Sequence, residues 1–198
     1  GGIAAYKSLD LIRLLKKQEC EIKVVLTKSG KKFVTPLSIA SLSQNKVYHD
    51  IFDSEKEAEM DHISLSRWSD IILFSPITAN SIAKLASGRA DDLASTLILA
   101  SNKQTILVPA MNVRMWLNKL TQNNFNKLID LGYLTIGPET GEMACGEYGE
   151  GKMSTPEQIL EFIKNYFLER DIVKDKNLKA LVTAGPTREY IDPVRFIT

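Results

Sequence analysis

Cysteine is scarce in this 198-residue chain: Cys20 and Cys145 are the two present, too few for a disulfide framework. Histidine is equally scarce, at two residues, and with no C-x-x-C pair and no histidine cluster we expect no metal site. An excess of one charge is missing too. The 25 Lys and Arg nearly balance the 24 Asp and Glu, leaving a formal net charge of +1 and no basic run, so neither nucleic acid nor an anionic membrane surface is an expected partner. No apolar stretch reaches the roughly 20 residues of a membrane span, and no signal-like segment opens the sequence. A soluble, cytoplasmic protein is the expectation. Internal repeats and low-complexity segments are likewise missing.

What is present is an alternation of two periods. Runs at residues 22–26, 71–74, 105–108 and 133–136 are apolar but for Lys23, Thr105 and Thr135, as strands covered on both faces are. Between them lie stripes of helical period: Leu9, Ile12 and Leu15, then Ile82 and Leu85, then Leu93 and Leu97 beyond a break at Gly88. A last helix is predicted from about Thr155, with Pro156 in its first turn, to about Leu168. This pattern predicts an α/β fold, a doubly wound parallel sheet with helices on both faces. We expect one domain over 1–168, a charged linker over 169–177, and at 178–198 the strand and loop that open a second domain. The first strand of the sheet is expected to precede Gly1, because a phosphate loop ordinarily follows a strand.

In open α/β sheets ligands bind at the carboxyl ends of the strands. Those ends are polar here: Thr27-Lys28-Ser29 follows the first run, Ser75-Pro76-Ile77-Thr78-Ala79-Asn80 the second, and Pro109-Ala110-Met111-Asn112 the third. Gly1-Gly2-Ile3-Ala4-Ala5 leads into the first helix, whose free N–H groups and dipole suit a phosphate. Taken alone, Gly1-Gly2 reads equally well as a tight turn, and the Ser and Thr residues as helix caps. Residues 141–153 carry four glycines in a loop too long for a simple connection, the mark of a functional lid. Cys145 lies in it and is expected to be exposed and reactive, against the commoner fate of a free cysteine as a small buried hydrophobe. Cys20, between a helix and a strand, is assigned to packing. His62 and His49 are lone histidines, which are more often structural or solvated than catalytic.

Four motifs taken together, Gly1-Gly2-Ile3-Ala4-Ala5-Tyr6-Lys7, His62-Ile63-Ser64-Leu65 with Trp68-Ser69-Asp70, Pro109-Ala110-Met111-Asn112, and Ala144-Cys145-Gly146 through Gly151-Lys152-Met153, resemble the flavin-dependent cysteine decarboxylases. The likeness is strongest to the phosphopantothenoylcysteine decarboxylase branch. The tail, Thr183-Ala184-Gly185-Pro186-Thr187-Arg188-Glu189 with Asp192-Pro193-Val194-Arg195, resembles the opening of the CTP-using phosphopantothenate–cysteine ligase fused to that branch. The resemblance implies FMN, with its phosphate near Gly2, Ile3 and Ser29 and its ring near Thr78, Ala79, Asn80 and Ala110; Gly1, Ala4, Thr27 and Ser81 complete the cofactor set.

The resemblance further implies His62, Asn112 and Cys145 as catalytic residues, with Asn112, Met143, Ala144 and Lys152 touching the substrate. Lys152 stands where many relatives carry Arg. The expected reaction converts 4'-phospho-N-pantothenoylcysteine to 4'-phosphopantetheine by thiol oxidation, loss of carbon dioxide and re-reduction. In it His62 is a base or charge-stabilising group, Asn112 orients the carboxylate, and Cys145 protonates the enethiolate carbon. Other readings are a peptidyl-cysteine decarboxylase, a flavin prenyltransferase-like protein, or a non-catalytic relative that inhibits a phosphatase. A trimer-based homo-oligomer with FMN and His62 near subunit contacts is also implied.

Overall fold

The computed structural model describes residues 2–49, 58–170, 179–184, 189–190 and 196–197, with the backbone alone for 58–62, 184, 189–190 and 196–197. A 3-10 turn, Ile3–Tyr6, runs straight into α1 (Lys7–Lys17), followed by β1 (Glu21–Leu26), α2 (Pro36–Ser43), β2 (Val47–Tyr48) and α3 (Ala58–Trp68). Next come β3 (Ile71–Ile77), α4 (Ala79–Ala86), α5 (Leu93–Leu99), β4 (Thr105–Pro109), α6 (Val113–Leu117) and α7 (Lys119–Asp130). The chain continues through β5 (Leu134–Thr135), β6 (Glu139–Glu142), β7 (Tyr148–Lys152), α8 (Pro156–Leu168), β8 (Lys179–Ala184), β9 (Glu189–Tyr190) and β10 (Phe196–Ile197).

Six strands form one parallel sheet in the order β2-β1-β8-β3-β4-β5. Because successive side chains point to opposite faces, each apolar strand feeds two cores. Ile71, Leu73, Ile106, Val108 and Val182 pack with Leu11, Ile12 and Leu15 of α1 and Ile159 and Ile163 of α8. On the opposite face Ile72, Phe74, Leu107 and Leu181 pack with Ile82, Leu97, Trp116 and Leu128. The expected doubly wound architecture is therefore present. Cys20 is buried in the α1 core, as its packing assignment requires.

Local signals explain where the helices begin. Thr155 and Gln158 form a reciprocal capping box that brackets Pro156 at the start of α8, and Asp92 and Ser95 do the same for α5. Gly88, at φ +67°, follows α4, so the apolar stripe is split into two helices at the break expected there. Among the described residues no helix is long and apolar enough to cross a membrane.

Three boundaries differ from expectation. The second apolar run does not stop at residue 74: β3 continues to Ile77, and its pairing with β4 shifts register between Phe74 and Ile77, which accommodates Pro76, a residue with no N–H to give the ladder. The run at 133–136 yields only a two-residue strand, which lies at the sheet edge beside β4. The glycine-rich segment read as a loop is mostly an antiparallel hairpin, β6 with β7. The described strand 179–184 pairs within the sheet, with six register pairs to β1 and four to β3. Residues 171–177 of the expected linker, and residue 178 after it, lie outside the described residues.

Candidate active site

Parallel strands bring the loops after β1, β3 and β4 to one edge of the sheet, and side-chain ties bring two further elements to it. Ser8, in the first turn of α1, donates from Oγ to the Ser75 carbonyl at 2.8 Å, which fixes the amino end of the helix beside the end of β3. Lys7 Nζ donates to the Met153 carbonyl at 2.8 Å, which fixes it also to the exit of the β6–β7 hairpin. Burial first, and the nearby charge of Lys152 second, hold the Lys7 ammonium below its ordinary pKa. Two lysines brought together in this way suit an anion between them.

The residues expected to hold a cofactor fall into two kinds. At Gly2, in extended conformation, no side chain caps the turn, and an added Cβ would meet nothing within 4 Å. Ile3 and Ala4 follow in an open, uncapped first turn with N–H groups that a helix start cannot satisfy internally. Thr78, by contrast, caps its own helix: its hydroxyl lies 3.5 Å from the Ser81 N–H and 3.4 Å from Ser81 Oγ. Thr27 Oγ1 accepts from Gly30 N–H at 3.2 Å, shaping the loop that carries Ser29. Ala79, Asn80, Ser81 and Ala110 are half-buried along the same edge. Gly1 lies outside the described residues.

The reactive corner is built where the β4 loop meets the hairpin. Ala110 N–H donates to the Ile77 carbonyl, and Met111 N–H donates to the Gly151 carbonyl, each at 3.0 Å, so the loop is stitched on one side to β3 and on the other to β7. Asn112 is the cap of α6: its Oδ1 accepts from Arg114 N–H at 2.8 Å, which orients the amide and turns Nδ2 outward. That Nδ2 reaches Cys145 Sγ at 3.7 Å and also donates to the Glu147 carboxylate. Cys145 is exposed, at the tip of the hairpin turn that Met143 N–H to Glu147 carbonyl, 2.9 Å, closes. Met143 is half-buried, and its methyl would lie 3.1 Å from a Cβ on Gly151. Ala144 and Lys152 are exposed, the Lys152 chain lying over Gly141.

Asn112 and Cys145, 33 residues apart in sequence, are thus brought together. His62 lies on α3, and its side chain lies outside the described residues. The sequence reading missed Glu147. A carboxylate two positions past the thiol carries no motif of its own, and only the turn between Met143 and Glu147 aims it at Asn112. Lys7, in the first motif, gains its place in the site only from the fold, which sets it against Met153 and Lys152. Among the described residues no group of three His, Cys, Asp or Glu is placed to hold a metal.

Residues 1–168 match the Flavoprotein family, and residues 175–198 match the DNA/pantothenate metabolism flavoprotein C-terminal domain. The chain belongs to the flavoprotein family. It is 46% identical over all its 198 residues to the coenzyme A biosynthesis bifunctional protein CoaBC of Haemophilus influenzae, of which it covers 49%. The chain spans about half the length of such curated relatives. Among solved structures, a PPC decarboxylase Cys-to-Ser mutant complexed with pantothenoylaminoethenethiol superposes with a TM-score of 0.72 at 30% identity, over 85% of this chain and 94% of that one. The FMN binding protein AtHal3 superposes with a TM-score of 0.73, also at 30% identity, over 85% and 93%.

Proposed function

We propose that this flavoprotein decarboxylates 4'-phospho-N-pantothenoylcysteine to 4'-phosphopantetheine in coenzyme A biosynthesis, with FMN as cofactor. The observation that carries the reading is the meeting of the Asn112 amide and the Cys145 thiol, 3.7 Å apart. A carboxylate-binding donor and a proton donor stand within reach of one small substrate head. FMN binding is supported by the uncapped turn at Gly2 and the half-buried small residues Ala79, Asn80, Ser81 and Ala110, and by the FMN that the AtHal3 relative binds.

A cysteine carboxylate that loses carbon dioxide leaves a carbanion needing an electron sink, and bound FMN supplies the two-electron oxidation of the thiol and the later return of those electrons. This chain's own residues do the rest. Asn112, its amide turned outward by the Arg114 N–H bond, donates to the carboxylate and holds it where departing electrons flow into the carbon–sulfur double bond. His62 is assigned the proton movement at the thiol, which an imidazole suits at neutral pH. Cys145 donates its proton to the enethiolate carbon. The enethiol held by the Cys-to-Ser relative supports that last assignment. Lys152 and Lys7, which repel one another, are assigned to the substrate phosphate.

Three coarser assignments accompany this reading. The match over residues 175–198 supports a ligase domain opening at 178–198. Ile3 and Tyr6, about half exposed on the turn before α1, support a homo-oligomer, which we assign as trimer-based; sedimentation equilibrium at a trimer multiple would bear this out and a monomer would refute it. A cytoplasmic location goes with the metabolic role.

The test is incubation of the FMN-loaded protein with 4'-phosphopantothenoylcysteine, following carbon dioxide and 4'-phosphopantetheine. No product from the loaded protein would overturn the assignment. With Cys145→Ser the expected outcome is carbon dioxide and an enethiol product with the flavin left reduced; normal phosphopantetheine would refute the role of Cys145.

A further inference from the structure

The amide expected to receive the substrate carboxylate already holds one. Glu147 Oε2 accepts from Asn112 Nδ2, the same nitrogen that reaches Cys145 Sγ at 3.7 Å. Its two N–H donors point to Glu147 and Cys145 and its Oδ1 accepts from the Arg114 N–H, so the amide has no donor to spare for a second carboxylate at the same time. Two carboxylates on one neutral amide would also repel each other. The neighbouring cation is Arg114, whose Nε lies 3.7 Å from Glu147 Oε1. Glu147 thus has a second partner to which it can swing.

We propose that Glu147 is a latch: a built-in carboxylate that holds the hairpin tip on Asn112 until the substrate's carboxylate displaces it toward Arg114. The inference rests on Asn112 being the carboxylate-binding group of the proposed reaction. It assigns Glu147 as a positioning residue acting through Asn112 and the turn that carries Cys145. The exchange makes docking of the substrate carboxylate and release of the hairpin tip a single event, since Met143 N–H to Glu147 carbonyl ties the latch to the turn around Cys145. Binding a carboxylate therefore costs the enzyme the latch contact.

The test uses Cys145 alkylation, which needs no turnover. Iodoacetate carries a carboxylate beside its reactive carbon, and iodoacetamide is its neutral counterpart. The readout is the ratio of their rates at Cys145, followed by peptide mass spectrometry in the FMN-loaded protein. Glu147→Ala is expected to raise the iodoacetate-to-iodoacetamide ratio about five- to tenfold, the scale of one charge-assisted hydrogen bond partly screened by water. In an Asn112→Ser background, which keeps a capping hydroxyl but removes the amide donors, the same change is expected to move the ratio less than about twofold.

An equal rise in both backgrounds would mean simple charge repulsion and would overturn the latch, as would no rise in either. Glu147→Gln separates the alternatives further: a purely structural role is rescued by Gln, whereas a competitor loses most of its hold once its charge is gone. With substrate, Glu147→Ala is expected to lower KM about three- to tenfold. A raised KM would mean that Glu147 helps to bind substrate, and would refute the proposal. If the alkylation cycle shows coupling and no decarboxylation occurs, the functional reading fails and what stands is the competition of Glu147 with an incoming carboxylate at Asn112; turnover without coupling overturns the latch and leaves the functional reading in place.

Discussion

Replacing Gly151 by Ala probes the seat of the hairpin more directly than any change at Cys145. Gly151 adopts φ +142°, and a Cβ there would fall 2.4 Å from the Met111 carbonyl oxygen. The obstacle is backbone, and that backbone is held in place by Met111 N–H donating to the Gly151 carbonyl at 3.0 Å. Two costs therefore add: about 1–3 kcal/mol for a side chain in that backbone region, and about 1–3 kcal/mol for overpacking against a fixed carbonyl. Gly146 is the internal control. It too has positive φ, +80°, but an added Cβ meets nothing within 4 Å, so Gly146→Ala is expected to cost only the backbone part, about 1–2 kcal/mol.

The difference between the two variants isolates the clash. It will show as global destabilisation only up to the free energy that docks the hairpin, because beyond that the hairpin detaches and the sheet stays folded. Two measurements cover both cases. Denaturant unfolding of Gly151→Ala should give a loss at least about 1 kcal/mol larger than that of Gly146→Ala, or, if the hairpin lets go first, hydrogen exchange at the Met111 amide should rise sharply with little change in midpoint. If Gly151→Ala matches Gly146→Ala in unfolding and leaves Met111 protected, the close seat of β7 on the Asn112 loop is wrong.

Other perturbations test the remaining supports. The pKa of Lys7 lies below 10.5 because of burial and of Lys152; in Lys152→Gln it should move up toward the ordinary value, as followed by NMR of labelled lysine side chains, and an unmoved titration would refute the pairing. A depressed lysine pKa means that the folded chain binds fewer protons, so this site's share of stability rises with pH from the Lys7 pKa to 10.5, and Lys152→Gln should narrow that window in pH-dependent unfolding. Burial raises the Cys20 thiol pKa, leaving little thiolate, so iodoacetamide in the native protein should modify exposed Cys145 well before Cys20; comparable rates would contradict the burial. Leu181, fully buried in β8 against the α4 side of the sheet, should cost about 2–5 kcal/mol as Leu181→Ala in denaturant unfolding, and a loss under 1 kcal/mol would place β8 outside the core.

The strands that the sequence disclosed are those buried on both faces. Residues 22–26 and 105–108 are apolar but for Lys23 and Thr105 because α1 and α8 cover one side of the sheet and α4 and α7 the other, and such runs leave little room for a second reading. Where the run is interrupted by chemistry, legibility fails. Ser75-Pro76 reads as the start of a loop, yet the strand continues through a register shift, and the Ser75 carbonyl is the acceptor that anchors α1 through Ser8. Asn112 and Cys145 could be nominated from motifs, but their meeting depends on how the hairpin folds back over the β4 loop, which no local pattern of residues 112 or 145 encodes. Glu147 was illegible for the same reason.

The hairpin was nonetheless written in the sequence, in a form easily mistaken for flexibility. Tyr148-Gly149-Glu150-Gly151-Lys152 alternates large and bare positions with period two, which is strand geometry with one face stripped of side chains. Tyr148, Glu150 and Lys152 are exposed, while Gly149 and Gly151 face inward, where a Cβ would strike Val113 Cγ2 at 2.6 Å and the Met111 carbonyl at 2.4 Å. The glycines are present for close approach. Only a strand without side chains on that face can lie flat on residues 111–113, and lying flat is what carries the tip with Cys145 and Glu147 over the Asn112 amide. Precision at the reactive corner therefore comes from two glycines that perform no chemistry.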